Sequence, residues 1–147
     1  MDTVHPAGTA EATVTEMSRL FNAGDGAGAM RLFHPDITVE QPASLPHGGL
    51  YQGPDGLAKM GAAFARYWER TIENPRIFGA ATQAVMLTTQ TWTAVTTRRA
   101  ATVDVIELFT VTDGQITSIR VFQQDTHLLL ETLQPQSQPQ PQPPYWV

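Results

Sequence analysis

The stretch VDVIELFTVTDGQITSIRVFQQDT, residues 103–126, holds two alternating runs of apolar and polar residues joined by Asp113-Gly114. Alternation with a period of two is typical of β-strands that bury one face. The Asp-Gly pair tolerates the positive φ angles that a two-residue hairpin turn requires. The stretch therefore predicts an antiparallel hairpin, with strands over 101–112 and 115–124.

Upstream of this hairpin, Thr and Val are abundant as far back as Pro75, which predicts two further strands over 76–84 and 86–97. A brief strand is also predicted over 37–41, and residues 42–54 hold enough Pro and Gly to predict a structured loop. The second half of the chain is therefore expected to be a sheet.

Apolar residues before Pro75 recur instead at spacings of three and four, which predicts helices with one buried face. Three groups show this spacing, with a last helical turn predicted over 127–133. They are Val14, Met17, Leu20 and Phe21; then Met30, Leu32 and Phe33 in a short helix ended by His34-Pro35; then Leu57, Met60, Phe64, Tyr67 and Trp68 over 56–69.

Helices first and antiparallel strands second predict an α+β domain, with three to four helices packed on one face of a curved sheet. The length of 147 residues fits one domain, which we expect over 1–133. Residues 134–147 form a Gln/Pro-rich tail that is expected to have no core of its own.

Composition excludes several classes of function. The chain has no cysteine, so disulfides and thiolate chemistry are absent, and its histidines show no ligand spacing that would predict a metal site. A net charge of -5 argues against a nucleic-acid partner. No apolar run is long enough to span a membrane, and the amino-terminal residues do not read as a secretory signal, so a cytoplasmic location is expected.

Two more strings support a family resemblance: FNAGDGAGAMRLFHPDITVEQP (21–42) and PASLPHGGLYQGPDGL (42–57). Together with 103–126, in this order, they resemble the NTF2-like superfamily, in particular its SnoaL-like polyketide cyclase and ketosteroid isomerase branch. The resemblance implies a cone-shaped fold around an apolar cavity that takes a small hydrophobic substrate. It also implies a homodimer and a reaction without a cofactor.

Glu107 is the leading candidate for a catalytic residue. Strand alternation puts it on one face with Val105 and Phe109, and the resemblance implies that this face points into the cavity. Desolvation there would raise the pKa of the carboxyl, which suits a general acid or base. The alternative is a structural Glu107 satisfied by a backbone group or an arginine.

Asp125, His47 and Tyr51 are the next candidates, and each has a plain structural alternative. Asp125 precedes a helical turn, where Asp is a favoured N-cap, whereas the resemblance implies an acid at the cavity rim. His47 could shuttle a proton or be an exposed loop residue. Tyr51 could donate its phenol to a substrate oxygen or fill the cavity wall.

Gln41 and Met17 are the informative departures from the steroid isomerases. Gln41 aligns with their general-base Asp and Met17 with their phenol donor, and neither can take over that role. Gln41 is instead expected to orient the substrate, and Met17 to line the cavity. The other expected lining residues, for which core packing is the alternative, are Met60, Phe64, Trp68 and Trp92.

These residues lead to one main hypothesis and three alternatives. The main one is a cyclase or isomerase acting on a hydrophobic oxygenated intermediate of polyketide or related biosynthesis, with Glu107 as the acid and Asp125 or His47 as its counterpart. The alternatives are a non-catalytic ligand-binding protein, a pure interaction domain, and an epoxide-opening enzyme that resembles limonene epoxide hydrolase. For the last, Glu107 and Asp125 would supply the acids, but Val105 stands where that family has an arginine.

Overall fold

The computed structural model describes residues 8–136, in which helices are followed by a six-stranded, curved, open sheet. This order confirms the predicted α+β class. The elements are α1 (Ala10–Asn22), α2 (Gly26–Met30), β1 (Phe33–Gln41), β2 (Gly49–Gln52), α3 (Gly53–Ala65), β3 (Trp68–Gly79), β4 (Gln83–Ala94), β5 (Ala100–Thr112), β6 (Gln115–Gln123) and α4 (Thr126–Glu131). None of these helices is long and apolar enough to cross a membrane.

The sheet has the strand order β2-β1-β6-β5-β4-β3, and all neighbours are antiparallel except β1 and β6. The predicted hairpin joins β5 to β6, with Thr112 paired to Gln115. Asp113 and Gly114 have φ angles of 51° and 74°, the two positive values that such a tight turn needs. The hairpin prediction is confirmed.

The core consists of two apolar clusters on the helix-covered face of the sheet. One gathers α1 residues such as Val14 and Met17 onto β1, β5 and β6, with Phe109 fully buried. The other gathers Trp68, Trp92 and the first half of β5 beneath α4. Members of both clusters line one cavity, so the site is where these two packed regions meet.

The prediction of a helix over 56–69 was wrong at its end, because α3 stops at Ala65 and Trp68 begins β3. Trp68 pairs with Ala94 on β4, and its indole N–H donates to Thr132 Oγ1 at 2.8 Å. These long-range contacts outweigh the helical spacing of the local sequence. The strand predicted over 76–84 is accordingly displaced, and β3 runs from Trp68 to Gly79.

The prediction that Pro75 separates the helical part from the strands was wrong, because β3 begins before it and lies at the sheet edge. The pairing with β4 is irregular between Glu73 and Arg76, and Asn74 there has a φ of 52°. A proline is tolerated at such an irregularity on an edge strand, where its missing N–H breaks no ladder bond. A single long strand therefore passes through Pro75.

Two other boundaries differ from the prediction. The predicted loop over 42–54 contains β2, which pairs antiparallel with β1. The short second helix ends at Met30, and Phe33 already belongs to β1, since it pairs with Ile116 of β6. The strand predicted over 37–41 therefore begins earlier, and His34-Pro35 lies inside it.

The segment that follows α4 is tied to the β4–β5 connection by Arg99, whose Nη1 donates to the carbonyls of Glu131 and Gln134 at 2.9 and 2.8 Å. The last predicted helical turn is α4, which starts one residue earlier than expected and ends at Glu131. Most of the predicted tail over 134–147 lies outside the described residues.

Candidate functional site

A cavity of about 580 Å³ opens between α1, α3, the loop after β1 and the covered face of the sheet. This volume is enough for a drug-sized ligand. Its apolar lining includes Met17, Val39, Met60, Trp92, Val105 and Phe109. Its polar lining consists of Ser18, Asn22, Gln41, His47, Arg70, Glu73, Asn74, Thr88, Gln90, Glu107 and Gln123. An apolar wall with a few polar groups is typical of small-molecule sites.

Glu107 lies in the middle of this wall, on the face of β5 that also carries Val105 and Phe109. Its neighbours across the sheet are Met86 on β4 and Val121 on β6, and both line the cavity. Desolvation by these surroundings raises the pKa of the Glu107 carboxyl, and the charge of Arg70 offsets only part of that effect. The neutral acid form is therefore favoured more than in an exposed glutamate.

Arg70 enters the cavity from β3, where it is the cross-strand neighbour of Trp92. Its guanidinium carbon lies 4.8 Å from the centre of the Phe64 ring. The side chain is exposed, yet desolvation by the surrounding protein lowers the pKa of its guanidinium, while Glu107 raises it. A side chain that faces an open cavity can be both accessible to solvent and partly desolvated. Arg70 remains charged at neutral pH.

His47 is only 2% exposed and lies among three rings, with centroids 5.3 Å from Phe64 and 5.7 Å from both Trp68 and Trp92. Desolvation, with a smaller contribution from Arg70, lowers the pKa of His47 to about 4. The imidazole is therefore neutral at physiological pH. The alternative of an exposed loop residue was wrong, because the loop folds this side chain inward.

Tyr51 holds that loop in place, since its phenol O–H donates to the carbonyl oxygen of His47 at 2.8 Å. Close packing adds to this constraint, because a Cβ at Gly48 would lie 2.3 Å from the Pro42 carbonyl oxygen. Tyr51 itself does not line the cavity. Its phenol positions the histidine-bearing loop.

Three polar atoms in the cavity-lining side chains are shielded from water and have no hydrogen-bond partner within residues 8–136: Gln41 Oε1, His47 Nδ1 and Gln123 Oε1. Gln41 Nε2 donates to the Met60 sulfur at 3.4 Å, which is the one hydrogen bond of its side chain within residues 8–136. An unsatisfied buried group costs ~1–3 kcal/mol. The wall thus contains hydrogen-bonding capacity that the described part of the fold does not use.

Trp92 shows the opposite arrangement. Its indole N–H donates to Gln90 Oε1 at 2.8 Å, and Gln90 Nε2 donates to Thr88 Oγ1 at 3.0 Å. These three residues occupy every second position of β4, so their side chains share the covered face, and all three are buried. This satisfied chain fixes the orientation of the Trp92 ring at the cavity wall.

Eight of the twelve residues selected from the sequence line the cavity: Met17, Gln41, His47, Met60, Trp92, Val105, Glu107 and Phe109. Phe64 and Trp68 lie beside it, in the aromatic cluster around His47. The remaining two are Tyr51, described above, and Asp125.

Asp125 caps a helix and does not line the cavity. Its carboxylate accepts a hydrogen bond from the Leu128 N–H at 3.0 Å, which is the N-cap interaction of α4. Alternation along β6 would put Asp125 on the cavity face with Val121 and Gln123, but the strand ends at Gln123. The pair of acids considered for epoxide opening, Glu107 and Asp125, is therefore not brought together in the cavity.

Sequence reasoning missed Arg70 and Gln123. Arg70 fell between a helix predicted to end at 69 and a strand predicted to begin at 76. The sequence did contain a pattern that could have identified Arg70: Trp68, Arg70 and Ile72 alternate along the chain and therefore share one face of β3. Within residues 8–136, no three His, Asp or Glu side chains gather in a way that could hold a metal ion.

Comparisons with other proteins agree with this geometry. The family model described as "SnoaL-like domain" matches residues 14–119. Among proteins with curated descriptions, no sequence matches the chain. An NTF2-like protein from Burkholderia thailandensis E264 is 21% identical, with a TM-score of 0.77, covering 86% of this chain and 98% of its own.

Two further solved structures share the fold. A "putative polyketide cyclase" from Pseudomonas putida KT2440 is 15% identical, with a TM-score of 0.69, and the match covers 86% of this chain and 98% of that one. TerC, co-crystallised with polyporic acid, is 21% identical, with a TM-score of 0.70 and coverages of 82% and 95%. Since the family model spans well over half of the sequence, this chain belongs to the SnoaL-like family, and its fold is NTF2-like.

Proposed function

We propose that this protein is a cofactor-free acid–base enzyme of the cyclase or isomerase type. Its substrate would be a hydrophobic oxygenated intermediate of polyketide or related natural-product biosynthesis. The observation that carries the proposal is the Glu107 carboxyl, set in the apolar wall of the cavity between Met86 and Val121. A desolvated acid in a substrate-sized cavity is a candidate functional group, because burying it is costly unless it is used or paired.

Glu107 would act as the proton donor or relay. Its raised pKa brings the acid form closer to the operating pH, so the carboxyl can give a proton to a substrate carbonyl oxygen and take one back from a neighbouring carbon. General acid–base catalysis of this kind contributes ~10²–10⁴-fold. The apolar wall would supply the rest by holding the reacting carbon next to the carboxyl.

His47 would be the counterpart of Glu107. It is neutral, buried and held by Tyr51, and its unpartnered Nδ1 can take part in a hydrogen bond with a hydroxyl group. Gln41 and Gln123 would orient further oxygens of the substrate in the same way. An oxygenated substrate is preferred over a hydrocarbon because it would satisfy polar atoms that are unpaired in the described residues.

Two relatives are consistent with this proposal. One neighbour is described as a "putative polyketide cyclase", and TerC was crystallised with polyporic acid. Both are distant in sequence, so they support small-molecule chemistry in this fold and do not define the substrate. The proposal includes a cytoplasmic location.

The test uses solvent exchange of carbon-bound hydrogen as a general measure of acid–base chemistry. Wild type is incubated in D₂O with 2-tetralone and a panel of related apolar ketones, and loss of the protons next to the carbonyl is followed by NMR. We expect Glu107→Gln to lower the catalysed exchange rate by ~10²–10⁴-fold, because an amide cannot donate or accept this proton.

Glu40→Gln is the matched control, because Glu40 is an exposed glutamate on β1 that pairs with Arg120 at 3.4 Å, away from the cavity. It should exchange protons at the wild-type rate. Unchanged exchange in Glu107→Gln would overturn the assignment of Glu107. Binding of the ketones, seen by tryptophan fluorescence, with no catalysed exchange would favour the non-catalytic ligand-binding protein.

We also propose that the protein is a homodimer formed through an apolar patch on the uncovered face of the sheet. This outer patch consists of Phe78, Val85, Leu87, Ile106, Leu108 and Phe122, which lie side by side on neighbouring strands. Several of its members are exposed, including Ile106 and Phe122. A contiguous apolar surface of this kind marks an interaction site, and a second copy would bury it.

A further inference from the structure

Arg70 is a cavity residue whose donors the described part of the chain does not use. No carboxylate within residues 8–136 lies within ion-pairing distance of it, and no hydrogen bond from its guanidinium to those residues occurs. The surface arginines Arg19, Arg98 and Arg120, in contrast, pair with glutamates at 2.5–3.4 Å. Arg70 therefore keeps its in-plane N–H groups available to a ligand.

The surroundings of Arg70 fix its guanidinium without neutralising it. The Phe64 ring covers one face of the planar group at 4.8 Å, a cation–π contact that leaves the edges free. The neighbouring His47 is neutral at physiological pH and adds no competing charge. The group is thus held at the cavity wall, with its hydrogen-bonding edges unoccupied by the described residues.

Two carboxyl groups line the same cavity, and neither forms an ion pair with Arg70 within residues 8–136. Glu107 interacts with Arg70 through its charge, but desolvation raises the pKa of its carboxyl and so favours its neutral form more than in an exposed glutamate. Glu73 is exposed on the same strand and forms no ion pair with Arg70 within the described range. When Glu107 is protonated, the inner cavity carries an uncompensated positive charge, although the whole chain has a net charge of -5.

We propose that Arg70 determines specificity by binding an acidic oxygen of the ligand, so that the cavity selects apolar molecules with a carboxylate or an ionised enol or phenol group. A guanidinium binds both oxygens of a carboxylate through parallel N–H donors, and it can direct two N–H donors at the single oxygen of an ionised enol or phenol; a lysine cannot reproduce this planar fork. This inference rests on the proposed use of the cavity for a small oxygenated molecule, but not on the reaction proposed for Glu107.

The test compares two molecules of the same shape, 2-naphthoate and neutral 2-naphthamide, by calorimetry and by the fluorescence of the cavity tryptophan. Wild type should bind the carboxylate at least about tenfold more tightly, as expected for a charge-assisted pair. Arg70→Gln should bind both equally. Arg70→Lys should keep part of the preference, because it retains the charge without the planar fork.

Arg66→Gln is the control, since Arg66 is an exposed residue just after α3 that does not line the cavity. It should retain the full preference. If Arg70→Gln does not fold, Arg70→Met is used in its place, because methionine preserves the apolar stem that packs against Phe64. Equal affinities in wild type, failure of wild type to bind naphthoate at millimolar concentration, or a preference that survives removal of the guanidinium would each overturn the inference.

The outcomes also separate this inference from the proposed function. A wild type that selects naphthoate through Arg70 but catalyses no proton exchange keeps the inference and contradicts the enzyme proposal. A wild type whose proton exchange depends on Glu107 but which shows no preference for the anion supports the enzyme proposal and contradicts the inference about Arg70. Glu107→Gln should leave the preference for naphthoate in place, because it removes no positive charge.

Discussion

The two faces of β5 carry acidic residues in opposite environments. On the covered face, Glu107 lies between buried Val105 and Phe109, and desolvation raises its pKa. On the uncovered face, Asp104 is exposed and accepts a hydrogen bond from Thr89 Oγ1 at 2.9 Å. The same strand thus holds one carboxyl that accepts a side-chain hydrogen bond and one that is desolvated in the cavity wall, and only the second has the surroundings expected of a catalytic acid.

The apolar residues of the two faces differ as well. Phe109 is 0% exposed, whereas Ile106 and its cross-strand partner Phe122 are 40% and 46% exposed. The covered face makes the core and the cavity, while the uncovered face presents the outer patch. Because the two faces differ in this way, substitutions on them should differ in their effects on stability, on pH dependence and on ligand binding.

The largest expected difference is between Phe109→Ala and Phe122→Ala. Removing a fully buried phenylalanine should lower the free energy of unfolding by ~3–5 kcal/mol, because it leaves a void in packed surroundings. Removing the half-exposed Phe122 should cost about 1 kcal/mol or less. Urea denaturation at low protein concentration measures both values.

Equal losses for the two variants at every concentration would contradict the assigned difference in burial between Phe109 and Phe122. A loss for Phe122→Ala that grows with protein concentration would show that the uncovered face is covered by a partner, since a partner that binds only the folded state adds stability by mass action. That result would support the proposed homodimer through the outer patch.

The next largest effect concerns His47, on the covered side. Its pKa is about 4 in the folded protein against an ordinary value of 6.5, so the unfolded chain binds more protons between these values. The stability that depends on neutral His47 is therefore complete above about pH 6.5 and is lost as the pH falls toward 4. Wild type should lose about 2 kcal/mol from this source between pH 7 and pH 5.

His47→Gln should remove that part of the pH dependence, as measured by urea midpoints at the two pH values. The matched control is His127→Gln, because His127 is exposed on α4, where it pairs with Glu131 at 3.0 Å. Glu107 acts in the opposite direction: its raised pKa gives stability that is present at low pH and lost as the pH rises. A pH dependence unchanged by His47→Gln would contradict the buried, neutral histidine.

The smallest expected effect is at Asp125, which alternation alone would assign to the covered face. Asp125→Ala should lower the free energy of unfolding by ~1 kcal/mol, because α4 loses its N-cap, while Asp125→Asn should cost little. Neither should change the affinity for naphthoate. A loss of ligand affinity in Asp125→Asn, with stability unchanged, would contradict the assignment of Asp125 as a cap alone and would support a role at the cavity rim.

Much of the fold could be predicted from local patterns. The Asp113-Gly114 turn, the alternation in β5 and the helical spacing in α1 all depend on neighbours in the chain, and the structure agrees with each. The cavity-facing position of Glu107 follows from the same alternation, together with the family resemblance. Its function stays a prediction.

Residues whose placement depends on distant contacts could not be predicted in this way. Trp68 has helical spacing after Phe64, but pairing with β4 and the hydrogen bond to Thr132 draw it into a strand. Because that boundary was misplaced, Arg70 was not recognised as a cavity residue. Asp125 was ambiguous, since only the end of β6 at Gln123 decides whether its side chain continues the alternation or caps α4.

The sequence by itself determined the α+β class, the β5–β6 hairpin and the shared face of Val105, Glu107 and Phe109, because turn chemistry and side-chain alternation act over a few residues. That this face is the covered one was implied by the family resemblance. Only the tertiary structure decided that His47 is buried among three rings, that Asp125 is a cap, and that Arg70 and Glu107 share one cavity. These are properties of desolvation and of charges brought together by long-range strand pairing, which no local pattern encodes.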